Sequence, residues 1–334
     1  MGTAQAKKKF VLTDFVTKWG TVLTIFILLI FFTFANWNND TNSSMFLTSS
    51  NIIAVLRSVS ITAIIAIGLT FSLAVNGMDL AVGACANFAD TFIMTMFVWY
   101  GMSMGLSIIA TIVVCLTVAL INSILIVKLK IPDMVAALAV MFMFQGVSLT
   151  YSNGGAITER MTRPDGSPAE GLLPAAFRSL GSQPWIIIIM LVVVAFAHFF
   201  LNYTKHGRYM YSVGGNPTAA QLSGISVAKY KVLAYFLSSA FAALGGICLA
   251  ARVGTAQVSA GDAYLMPAVA AAYIGFSVMG AGKANAIGTL IGAVMVGLLE
   301  NGLIMMAVPY YAMNIVKGAV LAIALAMTYY TKKK

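Results

Sequence analysis

Charge is what this sequence has least of. Only 9% of its 334 residues are Asp, Glu, Lys or Arg, while 60% are hydrophobic. A water-soluble domain carries about 25% charged residues, so a soluble surface cannot be covered here. A soluble enzyme, a disordered chain and a collagen-like fibre are excluded together. Histidine is limited to His198 and His206, too few for a histidine metal cluster. The three cysteines, Cys85, Cys115 and Cys248, lie in apolar runs without a CxxC pair. They argue against a disulfide framework and against zinc, and read as small core residues. Nucleotide-binding and hydrolytic signatures are missing too. The nearest string, Gly280-Ala281-Gly282-Lys283-Ala284, lacks both the upstream glycine of a phosphate loop and the hydroxyl after its lysine.

What is present is a series of long apolar runs, and lipid is the solvent they suit. About 20 apolar residues in a helix cross about 30 Å of hydrocarbon. Stretches free of acids and bases include Gly20 to Asn39, Ser58 to Met78, Met134 to Thr158 and Ser179 to Thr204. The run from Thr91 to Val127 is too long for one helix, and Gly101 and Gly105 divide it. The pattern predicts an all-α polytopic membrane protein of about ten spans: 19–36, 52–76, 79–100, 103–127, 133–152, 184–203, 231–252, 264–281, 284–306 and 310–330. The first run continues through Phe31, Phe32 and Phe34 with no A-x-A site, so it reads as a span rather than a cleaved signal peptide. Residues 1–18 form a cytoplasmic segment, and 19–330 form a single transmembrane domain.

The net charge of +10 fits this picture. With the amino terminus inside, inner segments hold Lys7, Lys8, Lys9, Lys18, Lys128, Lys130, Lys205, Arg208, Lys229, Lys231, Lys283 and the three terminal lysines, fourteen of the 20 basic residues. Outer loops hold Arg160, Arg163, Arg178 and Arg252. That bias follows the positive-inside rule and places both termini in the cytoplasm. Nucleic acid needs no place in this account.

Two connections are long. The outer one, 152–184, is rich in Gly and Pro and reads as a structured cap or a lid. The inner one, 204–231, predicts a turn at Gly214-Gly215, a short helix opened by Asn216 and Pro217, and a stop at Gly224. Such a helix is either a docking element or an ordinary interfacial helix.

Polar groups at membrane depth default to function. Asn76-Gly77 breaks a helix, and Asp79 is expected in the first turn of the next, where the helix dipole favours a carboxylate. Asp79, Gly83, Ala86 and Asp90 are expected on one face, which turns toward another helix or an aqueous path. Asp79 is then a structural cap or a cargo contact. Asp90, with Asn87 beside it, is open in the same way. Glu300 and Lys317 lie at similar depth on adjacent spans. Mutual neutralisation is the simplest account, and an ion relay is the sharper one. Gly288, Gly292 and Gly297 on one span favour close helix packing or a dimer seam, and Gly245-Gly246 are expected to interrupt another span.

Several strings together resemble a known family. Gly77-Met78-Asp79-Leu80-Ala81-Val82-Gly83 is similar to the G-I-D-L-S-V-G motif of ribose/galactose-type permeases, the membrane subunits of bacterial sugar-importing ABC transporters. The segment from Gly207-Arg208-Tyr209 through Gly214-Gly215-Asn216 to Leu222-Ser223-Gly224-Ile225 resembles that family's cytoplasmic coupling segment. Gly288-Thr289-Leu290-Ile291-Gly292, Asn301-Gly302-Leu303 and Val316-Lys317-Gly318 resemble its carboxy-terminal spans. Ala81 replaces the usual Ser, and Ile274 to Gly282 departs from the usual G-G-T-S-x-x-G-G. The resemblance implies a plasma-membrane permease that pairs with a second copy or a related permease. It also implies a cytoplasmic ATPase that carries ATP and Mg, an extracytoplasmic sugar-binding protein, and no cofactor or catalysis in this chain. Gly207, Arg208, Gly214, Gly215, Asn216, Ala219, Ala220, Leu222, Gly224 and Ile225 would engage the ATPase. Asn76, Asp79, Asn87, Asp90, Gln145 and Asn301 would line the path of a neutral sugar or polyol by alternating access. The rival from a different class is an ion-coupled secondary transporter that uses Asp79, Asp90 or Glu300.

Overall fold

The computed structural model describes residues 20–38, 43–163, 165–169, 171–278, 283–309, 311–313, 315–316, 318–319 and 322. Helices dominate them. A two-residue antiparallel ladder, β1 (Trp37–Asn38) with β2 (Ser43–Ser44), is the extent of named strand. The helices are α1 (Gly20–Ala35), α2 (Ser49–Ala74), α3 (Val82–Val98), α4 (Met104–Ser123), α5 (Asp133–Tyr151), α6 (Ala175–Leu180), α7 (Trp185–Tyr203), α8 (Lys205–Gly215), α9 (Pro217–Leu222), α10 (Val227–Val253), α11 (Leu265–Ser277) and α12 (Ala286–Met305).

Among the described residues, α2, α4 with the π turn that extends it (Ile124–Lys128), α5, α7, α10 and α12 are long and apolar enough to cross a bilayer. Shorter apolar helices, α1, α3 and the stretch 262–276 ending in α11, fill three further expected segments. Residues 310–330, the tenth, fall largely outside the described set. Large apolar side chains stand exposed along α4 (Leu106, Ile109, Val113, Leu120) and α7 (Leu191, Val192, Phe196, Phe199). In water such faces would be a liability; acyl chains are their natural solvent.

The chain divides into two compact units, 1–59 with 270–334 and 60–269. In the first, Phe32 is buried against Phe46, with ring centroids 5.5 Å apart. The side-chain amides of Asn51 and Asn301 bond reciprocally at 3.1 and 2.9 Å. Gly288 and Gly292 abut the backbone of Gly275 and Ala271, and Gly297 abuts Val59. The expected small-residue stripe is therefore spent on packing inside the unit.

In the second unit α3 is central. Every residue of it except Phe92 is buried. Lipid gives helices little hydrophobic reason to associate, so close approach of small residues must supply the contact. Gly246 lies on the Ala86 carbonyl and Gly245 on Ile65. The expectation that Gly245-Gly246 interrupt a span is corrected: α10 runs through both, because packing against α2 and α3 outweighs glycine's poor helix propensity. The cysteines are all free and buried, and Cys85 Sγ donates to the Ser239 carbonyl at 3.5 Å.

The described residues of the connection 152–184, expected outside, are tied down by hydrogen bonds. Its strands of contact are the bridges Ile157 to Ala256 and Thr162 to Pro168. Glu159 accepts from the Leu173 amide at 2.7 Å and from Arg178 at 2.6 Å. These bonds hold its carboxyl below the usual glutamate range, the Leu173 amide being the larger cause.

Candidate functional site

At the end of α2 the chain turns through Val75, Asn76 and Gly77, whose amides all return to Ser72 or Leu73. Asn76 takes a left-handed conformation (φ 57°) and is exposed, a geometry that asparagine tolerates. Asp79 does not sit in the first turn of α3. It precedes the Ala81 cap by two residues, because the turn consumes more chain than an Asn-Gly pair alone suggests. There it is fully buried. Its Oδ1 accepts from the Ala81 amide at 3.1 Å and from Asn122 Nδ2 at 3.2 Å. Asp79 thus ties the entrance of α3 to α4, and Ser238 of α10 stands beside it.

Of the expected common face, Gly83 and Ala86 pack on protein. Gly83 meets Leu265 and Asp262, and Ala86 meets Gly246 and Gly261. One to two turns further, polar groups gather. Asn87 Oδ1 accepts from the Gly261 amide at 3.3 Å. Asp90 is buried, and its carboxylate lies beside the Gln257 amide. Gln145 of α5 reaches Asp262. Asn87, Thr91, Ser148, Ser152 and Gln257 border a small cavity of about 10 Å³, roughly the room of one water. Phe88, Phe92, Phe144 and Tyr151 form an aromatic chain alongside, with centroids 5.5 to 5.9 Å apart. Thr91, Ser148 and Gln257 escaped the sequence reading because single hydroxyls and amides in apolar runs carry no spacing signal.

The structure thus brings Asn87, Asp90 and Gln145 into one neighbourhood and puts Asn76 and Asp79 at another. Asn301 is committed to Asn51 in the other unit. Of the Glu300–Lys317 pair, Lys317 lies outside the described residues.

The connection 204–231, expected inside, departs from expectation in one respect. Gly214 and Gly215 are no turn: they complete α8, and the chain bends at Asn216. Helix continuation is favoured because Met210 and Val213 bury one face of α8 with Gly207. Gly214 lies on the backbone of Ala74 and Asn76, where any side chain would collide, while Gly215 has open space around it. The short helix α9 is as expected. Asn216 Oδ1 caps the Ala219 amide at 3.0 Å, Pro217 is the first helical residue, and Gly224 (φ 79°) ends it. Ala220 is buried and props α9 from beneath. Arg208, Asn216, Ala219, Gln221 and Gly224 are exposed, and Leu222 is 86% exposed. His206 Nδ1 and the Tyr230 hydroxyl, 3.3 Å apart, tie α8 to the first turn of α10. Ser226 caps α10 through the Lys229 amide.

The sequence profile of a family described as "Branched-chain amino acid transport system / permease component" matches residues 51–325. The chain is 33% identical over 291 residues to the ribose import permease protein RbsC of Escherichia coli K12, covering 85% of this chain and 87% of that one. It is also 33% identical over 315 residues to RbsC of Bacillus subtilis, covering 93% and 92%. The xylose transport system permease protein XylH of Escherichia coli K12 is 27% identical over 366 residues, covering 94% and 92%. No solved structure matches.

Proposed function

The chain belongs to this permease-component family, and from that premise we propose that it forms the sugar path of an importer driven by a separate ATP-binding-cassette ATPase. It is a multi-pass protein of the bacterial inner membrane. Relatives 33% identical over the matched stretch are ribose permeases, and a xylose permease is 27% identical. A pentose or related monosaccharide is therefore the cargo, delivered by an extracytoplasmic binding protein. Two permeases, identical or related, enclose the path. About ten spans leave both termini in the cytoplasm.

The observation that carries the coupling is the placement of α8 and α9. Their buried side is Gly207, Met210, Val213 and Ala220, and Gly214 is seated on the end of α2. Their other side is uncovered and ends in a nearly bare Leu222. A segment firmly seated inward and uncovered outward, with a bare Leu222 among polar side chains, is a handle, and it sits where the positive-inside bias puts the cytoplasm. ATP and Mg act on the partner. Closure of the ATPase pulls the handle, α2, α3 and α10 shift, and the path opens to alternate sides. Neutral sugar asks for hydrogen bonds rather than counter-charge, which Asn87, Thr91, Ser148 and Gln257 offer. Asp79, engaged by Ala81 and Asn122, serves as an anchor, which weighs against the ion-coupled rival.

The test is uptake of labelled ribose and xylose into proteoliposomes holding this chain with a co-expressed ABC ATPase and sugar-binding protein from the same organism. ATP-dependent uptake that stops when the ATPase is omitted is expected. Uphill uptake by the chain alone, driven by an ion gradient, would falsify the reading.

A further inference from the structure

Asp133 opens α5 on the same side of the molecule as α9. Its Oδ1 receives Lys231 Nζ at 3.0 Å, and its Oδ2 receives the Tyr235 hydroxyl at 2.9 Å. Lys231 and Tyr235 lie four residues apart on α10 and so share a face. Tyr235 is wholly buried, and the ion pair is about one-fifth exposed on each side. This cluster presses on the α2–α3 break: a Cβ at Gly77 would lie 2.8 Å from both Asp133 Oδ2 and the Tyr235 oxygen. The break is thus gripped at two points. Gly214 of α8 bears on Ala74 and Asn76, and the Asp133 cluster bears on Gly77, with the left-handed Asn76 between them.

Both grips belong to one lever. Four residues join α9 to α10, and Ser226 caps the first turn, directly below Lys231. Tyr230 on that turn stacks edge-on against Tyr209 of α8, with centroids 5.5 Å apart. Beside the ion pair opens a cleft of about 600 Å³ bordered by Ile126, Lys130, Pro132, Gln221, Ala228 and others, so the lever has room to move. A partly buried ion pair is a poor stabiliser in itself, since desolvation offsets most of its attraction. It is well suited to specifying one of two positions.

We propose that Asp133, Lys231 and Tyr235 form a latch that transmits movement of the α8–α9 handle to the α2–α3 break and so to Asp79. These are positioning residues that act through Gly77 and touch no cargo. The inference rests on the coupling role given above to α8 and α9.

The experiment compares uptake per ATP hydrolysed in proteoliposomes of the complete complex. Asp133→Asn and Lys231→Met are each expected to lower that ratio at least tenfold while the ATPase still co-purifies with the permease. Tyr235→Phe, which keeps the ring, is expected to lower it two- to fivefold. Reversal of the pair, Asp133→Lys with Lys231→Asp, is expected to recover part of the lost ratio. A wild-type ratio in both single variants overturns the latch. So does loss of the bound ATPase in both, which would make the cluster a matter of assembly. A wild-type complex that shows no ATP-driven uptake strikes the coupling reading instead, so the two failures are distinguishable.

Discussion

Adjacent glycines at the end of α8 have unlike surroundings, and that difference can be measured. Gly214 rests on the Ala74 and Asn76 backbone, whereas nothing lies within 4 Å of a Cβ placed on Gly215. Backbone cannot rotate aside as a side chain can, so Gly214→Ala must lift α8 off α2. Overpacking of this kind costs about 1–3 kcal/mol. ATP-driven uptake is expected to fall at least tenfold in Gly214→Ala and to stay within twofold in Gly215→Ala. Equal transport by both would mean the α8 seat transmits nothing. Asn301 poses a second residue-level question. Its amide is already paired with Asn51, and interhelical hydrogen bonds in lipid contribute about 0.6 kcal/mol on average. Asn301→Ala is expected to lower thermal stability slightly while leaving the apparent KM for sugar unchanged. A rise in KM of tenfold would restore Asn301 to the path.

The helices were legible in the sequence and the joints between them less so. Apolar runs located α2, α4, α5, α7, α10 and α12 to within a few residues, because twenty uncharged residues have one economical fate in lipid. The cap of α9 was equally plain, since Asn216-Pro217 carries its own local chemistry. Gly214 and Gly246 misled for a common reason. A glycine reads as a breaker locally, yet it is required wherever two backbones meet, and the partner backbone is a hundred or more residues away. The Asp133–Lys231–Tyr235 cluster was invisible for the same cause: its members are 98 and 102 residues apart, and an isolated Asp at a helix start reads as a cap. The outer cap offers a pH test of its joint. Glu159 titrates below the ordinary value of about 4.3 because Leu173 and Arg178 bond its ionised form. The linked stability is complete above that ordinary value and disappears as pH falls through the lower folded value. Amide exchange at residues 171–180 is expected to be constant from about pH 7 to 5, after correction for intrinsic rates, and to quicken below pH 4. Glu159→Gln should show fast exchange throughout. A wild-type profile in that variant would remove Glu159 as the clamp.

For the whole molecule, everything depends on which side of the bilayer each end of the helices meets. Fourteen of the 20 basic residues were assigned inside on the charge rule. The same assignment puts α8, α9, Asp133 and Lys231 in contact with the cytosol, and the 152–184 cap outside. On the proposed reading one orientation serves two chemically unrelated needs: the handle would reach a cytosolic ATPase, and the opposite face would meet a delivering protein. The native cysteines are buried, so a membrane-impermeant thiol reagent has little to attack in the wild type. A single cysteine at Gln221 on α9 is expected to react in inside-out vesicles and to resist in right-side-out ones. A cysteine at Arg160, on the cap, should behave in the opposite way. Reaction of Gln221→Cys from outside would reverse the handle, and with it the reason for expecting a cytosolic motor, whatever the sequence likeness to sugar permeases.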